Sequence, residues 1–423
     1  MLTKVERDEI IALIRQEVTP AIGCTEPIAV ALAVARVKEL LTVIPEKLDI
    51  WLSANVLKNA MGVGIPGTGM SGLPIAIAMG ILVGKSEYGL EVLRDSTPER
   101  VEEGKKLVDR GIINIHLKED IVEKLYIEVT ASAGPDTARV IISREHTRFS
   151  LIEKNGIKLL ELENNETTET VTEQLQLSFD KVCDFAFYTP IDEIRFIKKT
   201  VELNKAAAEE SLKGTYGHSV AQTLTNSTMG NSVYNHMLSV TAAACDARMA
   251  GAMIPVMSNS GSGNQGIAAT LPVSVFAEET GKSEEELIRA LILSHLITIY
   301  IKQSLGRLSG LCGAVVAATG SGCGVTYLMG GTREQIGFTV KNMIGNVTGM
   351  ICDGAKPSCT LKVHNGVSTA TLSALLAMDN KVVTAVEGIV DGDVDKTIQN
   401  LTKIGREGMT ETDKMVLDIM TNK

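Results

Sequence analysis

The chain has 423 residues, is 44% hydrophobic but only 4% aromatic, and carries a formal net charge of −10. That length supports two or more domains with large buried cores. The negative charge, the lack of any Lys/Arg-rich run and the scarcity of rings for base stacking argue against nucleic acid as a partner.

The N-terminus is charged and amphipathic, with no signal-peptide core, so a cytoplasmic location is expected. Thiols stay reduced there, and the 7 cysteines read as ligands, catalysts or core fillers rather than disulfides. Residues 4–17 read as an amphipathic helix. The loop Thr19-Pro-Ala-Ile-Gly-Cys-Thr-Glu-Pro27 follows, and a second helix starts near Pro27, a residue suited to a first helical position. That helix runs to about Leu41. Leu48–Ser53 reads as a strand. A glycine-rich loop at 62–72 then leads into an apolar helix, and a charged helix covers 98–109.

Five alternating segments come next, at 112–117, 124–131, 137–144, 148–154 and 157–163. Their period of two, with turns at Ala133-Gly-Pro-Asp136 and Lys154-Asn-Gly156, predicts an antiparallel sheet. From Ile191 the pattern is helical, with Pro190 opening a long charged helix to about Lys213. Further helices follow, punctuated by glycine loops, with no convincing strand. Residues 249–277 and 308–332 lack charge over lengths that would permit a membrane span. Their Ser, Asn, Gly and Thr content argues against one, and no membrane association is expected.

The expected architecture is α+β. Residues 1–42 supply N-terminal helices that pack on a largely helical domain at 189–423, and residues 43–188 form an inserted α+β sheet domain.

Four of the cysteines fall within 312–359. Cys312 stands 40 residues before Cys352, and Cys359 follows 7 later. This is neither the paired-knuckle spacing of a zinc ribbon nor a ferredoxin run. Three thiolates with no obvious fourth fit a cubane cluster with one open iron, but from spacing alone they fit ordinary buried cysteines as well. Cys323, crowded by glycines, is an alternative ligand or a core residue. Cys24 immediately precedes a helix, whose N-terminus lowers a thiol's pKa, although Glu26 works against this. It could serve as base, nucleophile or temporary ligand, or simply pack under its loop.

Ser258-Asn-Ser-Gly-Ser-Gly-Asn-Gln-Gly266 leads into an apolar run. Small hydroxyl, amide and glycine residues at a helix start make a cradle for an anion, and a carboxylate suits it better than a triphosphate. An ordinary helix–helix turn is the plain alternative. At 62–72, the match Gly62-Val-Gly-Ile-Pro-Gly67 lacks the context of a dinucleotide fingerprint and reads instead as closing a substrate site, with Asn55, Lys58 and Asn59 just before it. The six histidines show no ligand spacing, and His364, near Cys359, is the one to watch.

Together, Gly23-Cys-Thr-Glu-Pro27, Ser258–Gly266, Leu311-Cys-Gly-Ala314 and Cys352-Asp-Gly-Ala-Lys-Pro-Ser-Cys359 resemble the iron–sulfur L-cysteine desulfidases, relatives of the iron–sulfur-dependent L-serine dehydratases. The resemblance covers nearly the whole chain. It implies a [4Fe-4S] cluster held by Cys312, Cys352 and Cys359 with one iron open, so that 189–423 is the cluster-binding domain. It implies Cys24 as proton acceptor, with Thr25 beside it in the catalytic segment. It implies substrate contacts from Ser260, Ser262, Gly263, Asn264 and Gln265, to which Asn59 is added.

In the serine enzymes a His-Thr-x-Gly-Pro segment occupies the place of Cys24–Pro27, and its His is the base. A thiol in that place leans toward a thiol substrate. The serine enzymes can also end in a cysteine that caps the cluster, and the ending Met420-Thr-Asn-Lys423 is expected to lack that device. The implied reaction is β-elimination of L-cysteine to pyruvate, ammonia and sulfide, with the substrate sulfur on the open iron. L-Serine dehydration is the alternative, and a non-catalytic cluster protein or membrane component a more distant one. The implied partner is a small amino-acid substrate, with homo-oligomerisation left open.

Overall fold

The computed structural model describes residues 2–119, 123–162, 175–227 and 231–422. In chain order the first half contains α1 (Lys4–Glu17), β1 (Pro20–Ile22), α2 (Thr25–Leu41), β2 (Lys47–Leu52), α3 (Ala54–Ala60), α4 (Leu73–Leu82) and α5 (Pro98–Asp109). The strands β3 (Ile113–Leu117), β4 (Tyr126–Ala133), β5 (Asp136–Ser143), β6 (Phe149–Lys154) and β7 (Ile157–Glu161) follow. Then come α6 (Phe179–Tyr188), α7 (Ile191–Ile194), α8 (Lys199–Lys213), α9 (Val220–Thr225), α10 (Val233–Met249), β8 (Pro255–Met257) and α11 (Gly263–Glu279). The chain closes with α12 (Glu284–Leu305), α13 (Gly313–Leu328), α14 (Arg333–Val347), α15 (Cys359–Met378), α16 (Val394–Lys403) and α17 (Thr410–Thr421).

This is the expected α+β class. Local signals set several boundaries. Thr3 and Glu6 form a reciprocal capping box at α1, and Ser283 with Glu286 does the same at α12, satisfying amides that the first turn cannot.

The six-stranded sheet has the order β3-β2-β4-β5-β6-β7. It is not wholly antiparallel as expected: β3 runs parallel to β2, with Leu48 opposite Ile113 and Leu52 opposite Leu117. Between them the chain passes through α3, α4 and α5, and a crossover of that kind returns a strand in the same direction. Position 163 of the last expected strand lies outside the described residues.

Three further differences bear on the site. First, β1 and β8 form a two-stranded antiparallel pair, Pro20 with Met257 and Ile22 with Pro255. This strand in the otherwise helical half brings the Cys24 loop alongside the 258–266 loop. Second, α1 packs on α12, whereas α2 lies against β4, β5 and α4. Ile28 through Ala35 are all buried, and a helix apolar all round must be covered on every side. Third, the long helix expected from Pro190 breaks at Arg195–Lys198, a single 3₁₀ turn. Before it, Phe179, Val182 and Phe185 of α6 join the core around α12.

Close helix contacts explain the scarcity of aromatics. A Cβ at Gly320 would stand 2.3 Å from the Ser294 carbonyl oxygen, so α13 and α12 touch backbone to backbone. No helix among the described residues is long and apolar enough to cross a membrane.

Candidate active site

The site forms where four helices begin. Cys24 is the N-cap of α2, Ser262 of α11 and Cys312 of α13, and Cys359 is the first residue of α15. The unpaired amides and dipoles of these ends bias the space between them toward anions. A cavity of about 100 Å³ lies there, lined by Cys24, Thr25, Glu26, Asn59, Arg248, Ser262, Asn264, Gln265, Cys312, Cys352 and Cys359 among others.

An isolated bridge closes the gap between Cys312 and Cys352. Leu311 pairs with Ile351, the Cys312 amide donates to the Met350 carbonyl at 2.9 Å, and the Cys352 amide donates to the Gly310 carbonyl at 2.8 Å. The loop from Asp353 then turns through Gly354, whose φ is +87°. It returns Cys359 to the cavity, with its thiol 3.5 Å from the Gly354 carbonyl. Lys58 braces this loop from beneath. Its Nζ, 2% exposed as a side chain, donates to Asp413 at 2.6 Å and to the Cys352 carbonyl at 3.1 Å.

Burial, reinforced by the neighbouring Cys352, pushes the Cys312 thiol up to about 12, and burial raises Cys359 as well. Three such thiols would repel one another as thiolates, whereas a bound metal deprotonates its cysteines outright. Among the described residues no three His, Cys, Asp or Glu side chains converge on a single ion. Thiolates of a cubane cluster bind different irons and need not converge in that way. The donor set therefore fits a cluster rather than a lone ion.

Cys24 faces the triad, but not as a helix-activated thiolate. Its thiol donates to Glu26 Oε2 at 3.0 Å. Burial first, and then the Glu26 charge, hold its pKa well above the ordinary value. Desolvation outweighs the helix dipole here. Glu26 stays ionised although it is buried. Burial alone would raise its pKa, but His146 and the Cys24 thiol bring it to about 2. His146 Nε2 stands 3.8 Å from Oε1, an ion-pair distance too long for a hydrogen bond, so it acts on Glu26 electrostatically. Asn59 Nδ2 donates to Oε1 at 3.1 Å. The Thr25 hydroxyl donates to the Gly261 carbonyl at 2.8 Å and lies 3.1 Å from Oε2.

The 258–266 loop divides its residues. The Ser262 hydroxyl accepts from the Gln265 amide, and Asn264 and Gln265 line the cavity with it. Gly263 presses on Arg248, where a Cβ would stand 2.2 Å from the guanidinium Nε. Ser260 is not among the residues that line this cavity. Asn259 and Ser262 pair back on each other, and Ser260 takes a φ of +48° in the tight turn between them. It lines a separate cavity beside Glu17 and Lys302 instead. The 62–72 loop is a buttress rather than a lid. Its Gly64 and Gly67 amides donate to the Met249 and Gly251 carbonyls at 3.0 Å, and Pro66 abuts Gly23.

Cys183, Cys245 and Cys323 are fully buried and outside the cavity lining, and His364 is likewise absent from it. Glu26, Arg248 and His146 were not singled out as site residues from the sequence. Glu26 stood within a motif already noted. Nothing in the sequence near Arg248 or His146 links either to Cys24, since α10 and the β5–β6 turn bring them there.

The family to which the chain belongs is one of lyases of the serine dehydratase type. The model of the serine dehydratase alpha chain family matches residues 87–418, and the chain belongs to that family of iron–sulfur-dependent enzymes. It is similar along its length to proteins named UPF0597. A Bacteroides fragilis relative is 65% identical over 100% of both chains, and one from Phocaeicola vulgatus is 65% identical over 100% of this chain and 99% of its own. A relative from Porphyromonas gingivalis is 55% identical over 99% of each.

Proposed function

We propose that the protein is an L-cysteine desulfidase, converting L-cysteine and water to pyruvate, ammonia and sulfide in the cytoplasm with a [4Fe-4S] cluster held by Cys312, Cys352 and Cys359. The observation that carries this reading is the placement of Cys24 in the same buried cavity as those three thiols and the α11 N-terminus. When bound, the cluster supplies Lewis acidity that eases departure of the leaving group.

The chain's own residues do the rest. The Ser262–Gln265 segment offers amide and side-chain polar groups to the substrate carboxylate. Cys24 is the residue placed to take the α-proton as a thiolate, and Glu26, which accepts from its thiol at 3.0 Å, orients it toward the cavity. The Cα–H and Cβ–S bonds break, a Cα=Cβ bond forms, and the released aminoacrylate tautomerises and hydrolyses. Thr25 and Asn59 hold Glu26 in position beside Cys24. A buried thiol suits a substrate whose leaving group is itself sulfur. L-Serine dehydration is the second reading, favoured by the description of the matched family. Anaerobic assay of reconstituted protein separates the two: sulfide release from L-cysteine faster than pyruvate formation from L-serine supports the first, and the reverse order supports the second.

A further inference from the structure

Arg248 is 3% exposed and lines the cavity. Among the described residues no carboxylate lies within ion-pair distance of it. Its Nη1 donates to Asn264 Oδ1 at 2.9 Å, and its Nε finds no acceptor. Leaving a guanidinium buried without a counter-charge is costly, and such a group calls for an anion. The backbone makes room for it: Gly263 has no Cβ, and one built there would stand 2.2 Å from Nε. The guanidinium therefore sits directly under the first turn of α11, where free amides also face the cavity. A planar fork beside amide donors is the arrangement that grips a carboxylate by two oxygens.

We propose that Arg248 anchors the α-carboxylate of the amino-acid substrate, with the α11 amides completing the subsite. The small cavity, about 100 Å³, confines that substrate to a short side chain. This rests on the cavity being the substrate site, and not on the identity of the leaving group. A competing role is that Arg248 balances the charge of the cluster.

The test measures pyruvate binding to metal-free, thiol-reduced protein by calorimetry for the wild type, Arg248→Met and Arg248→Lys. It then measures KM and kcat for L-cysteine on the reconstituted enzymes. Arg248→Met is expected to weaken pyruvate binding, and to raise KM, on the order of 100-fold, with kcat changed less than about tenfold. Arg248→Lys is expected to recover roughly tenfold of the binding through its point charge. Ligand-free Arg248→Met is expected to unfold at a denaturant concentration no lower than the wild type, because an unpaired buried charge has been removed.

Equal pyruvate binding by wild type and Arg248→Met, or none by the wild type, overturns the proposal. Lost iron with pyruvate binding intact assigns Arg248 to the cluster and also overturns it. So does a lowered unfolding midpoint in both variants, which marks a structural brace. If L-cysteine is not turned over but pyruvate binding still depends on Arg248, the proposed function fails and the anchor stands. If L-cysteine is turned over with KM unchanged in Arg248→Met, the function stands and the anchor fails.

Discussion

Replacing Asp413 by alanine is expected to release the C-terminal helix α17 and loosen the loop that carries Cys352. Leu417 is the buried residue of α17, and burying one leucine contributes only about 1.5–3 kcal/mol. The Lys58–Asp413 pair has side-chain exposures of 2% and 15%. Removing one partner of such a pair costs about 3–5 kcal/mol, because the other charge stays buried. That cost exceeds what Leu417 returns, so Asp413→Ala favours a state in which α17 swings away and water reaches Lys58 Nζ.

Taking the lower end, about 3 kcal/mol corresponds to a shift of more than about 100-fold in the docking equilibrium. Amide hydrogen exchange across residues 410–421 reads it directly, with protection expected to fall by that factor. The double variant Lys58→Met/Asp413→Leu removes both charges and is expected to recover most of the protection. Protection in Asp413→Ala within about threefold of wild type, or no recovery in the double variant, would refute the claim that this ion pair holds the helix down.

His295 is fully buried, with Asn259 Nδ2 donating to its Nδ1 at 3.0 Å and Nε2 3.0 Å from the Thr270 hydroxyl. Burial lowers its pKa from 6.5 to about 3, so it is neutral in the fold while the unfolded chain protonates. Its stabilising contribution is complete above pH 6.5 and is lost as pH falls toward 3, at up to about 1.4 kcal/mol per pH unit. Urea titrations between pH 6.5 and 4.5 are expected to give a shallower slope for His295→Gln, and parallel slopes would count against it. Glu26→Gln removes the charge that helps hold the Cys24 thiol high. Cys24 of the metal-free variant is expected to be alkylated faster at pH 8 by peptide mass spectrometry, and an unchanged rate would remove Glu26 from that role. Gly23 has a φ of +77°, and a Cβ there would stand 2.4 Å from Pro66 Cγ. Gly23→Ala is expected to cost at least about 1–2 kcal/mol from backbone strain alone, measured by denaturant unfolding, and a neutral effect would mean that the Cys24 loop is not pinned there.

The amphipathic helix at 4–17, the charged helix at 98–109 and the alternating strands were legible because each is written in local periodicity. The parallel placement of β3 was not, because a crossover through three helices is a matter of tertiary packing. The β1–β8 pair was hidden for the same reason: three-residue strands carry little pattern, yet this one brings Cys24 to the 258–266 loop. Cys312, Cys352 and Cys359 could be named from residue type and motif, and the Leu311–Ile351 bridge supplies the physical cause of their proximity. Arg248 and His146 could not be named, because each carries its meaning only through what faces it. Cys24 was readable as a helix-start thiol, but its protonation state was not, since desolvation and Glu26 depend on burial.

Cys312, Cys352 and Cys359 are proposed to hold together a cluster with one open position that serves L-cysteine breakdown. The direct measurement is anaerobic reconstitution with iron and sulfide of the wild type and of Cys352→Ala. Iron per chain, the visible spectrum and sulfide release from L-cysteine are recorded on the same samples. About four irons per chain and steady sulfide release are expected for the wild type, with both lost in Cys352→Ala. A variant that keeps a full cluster and full activity, or a wild type that binds the iron and turns over L-serine but not L-cysteine, would contradict the proposal.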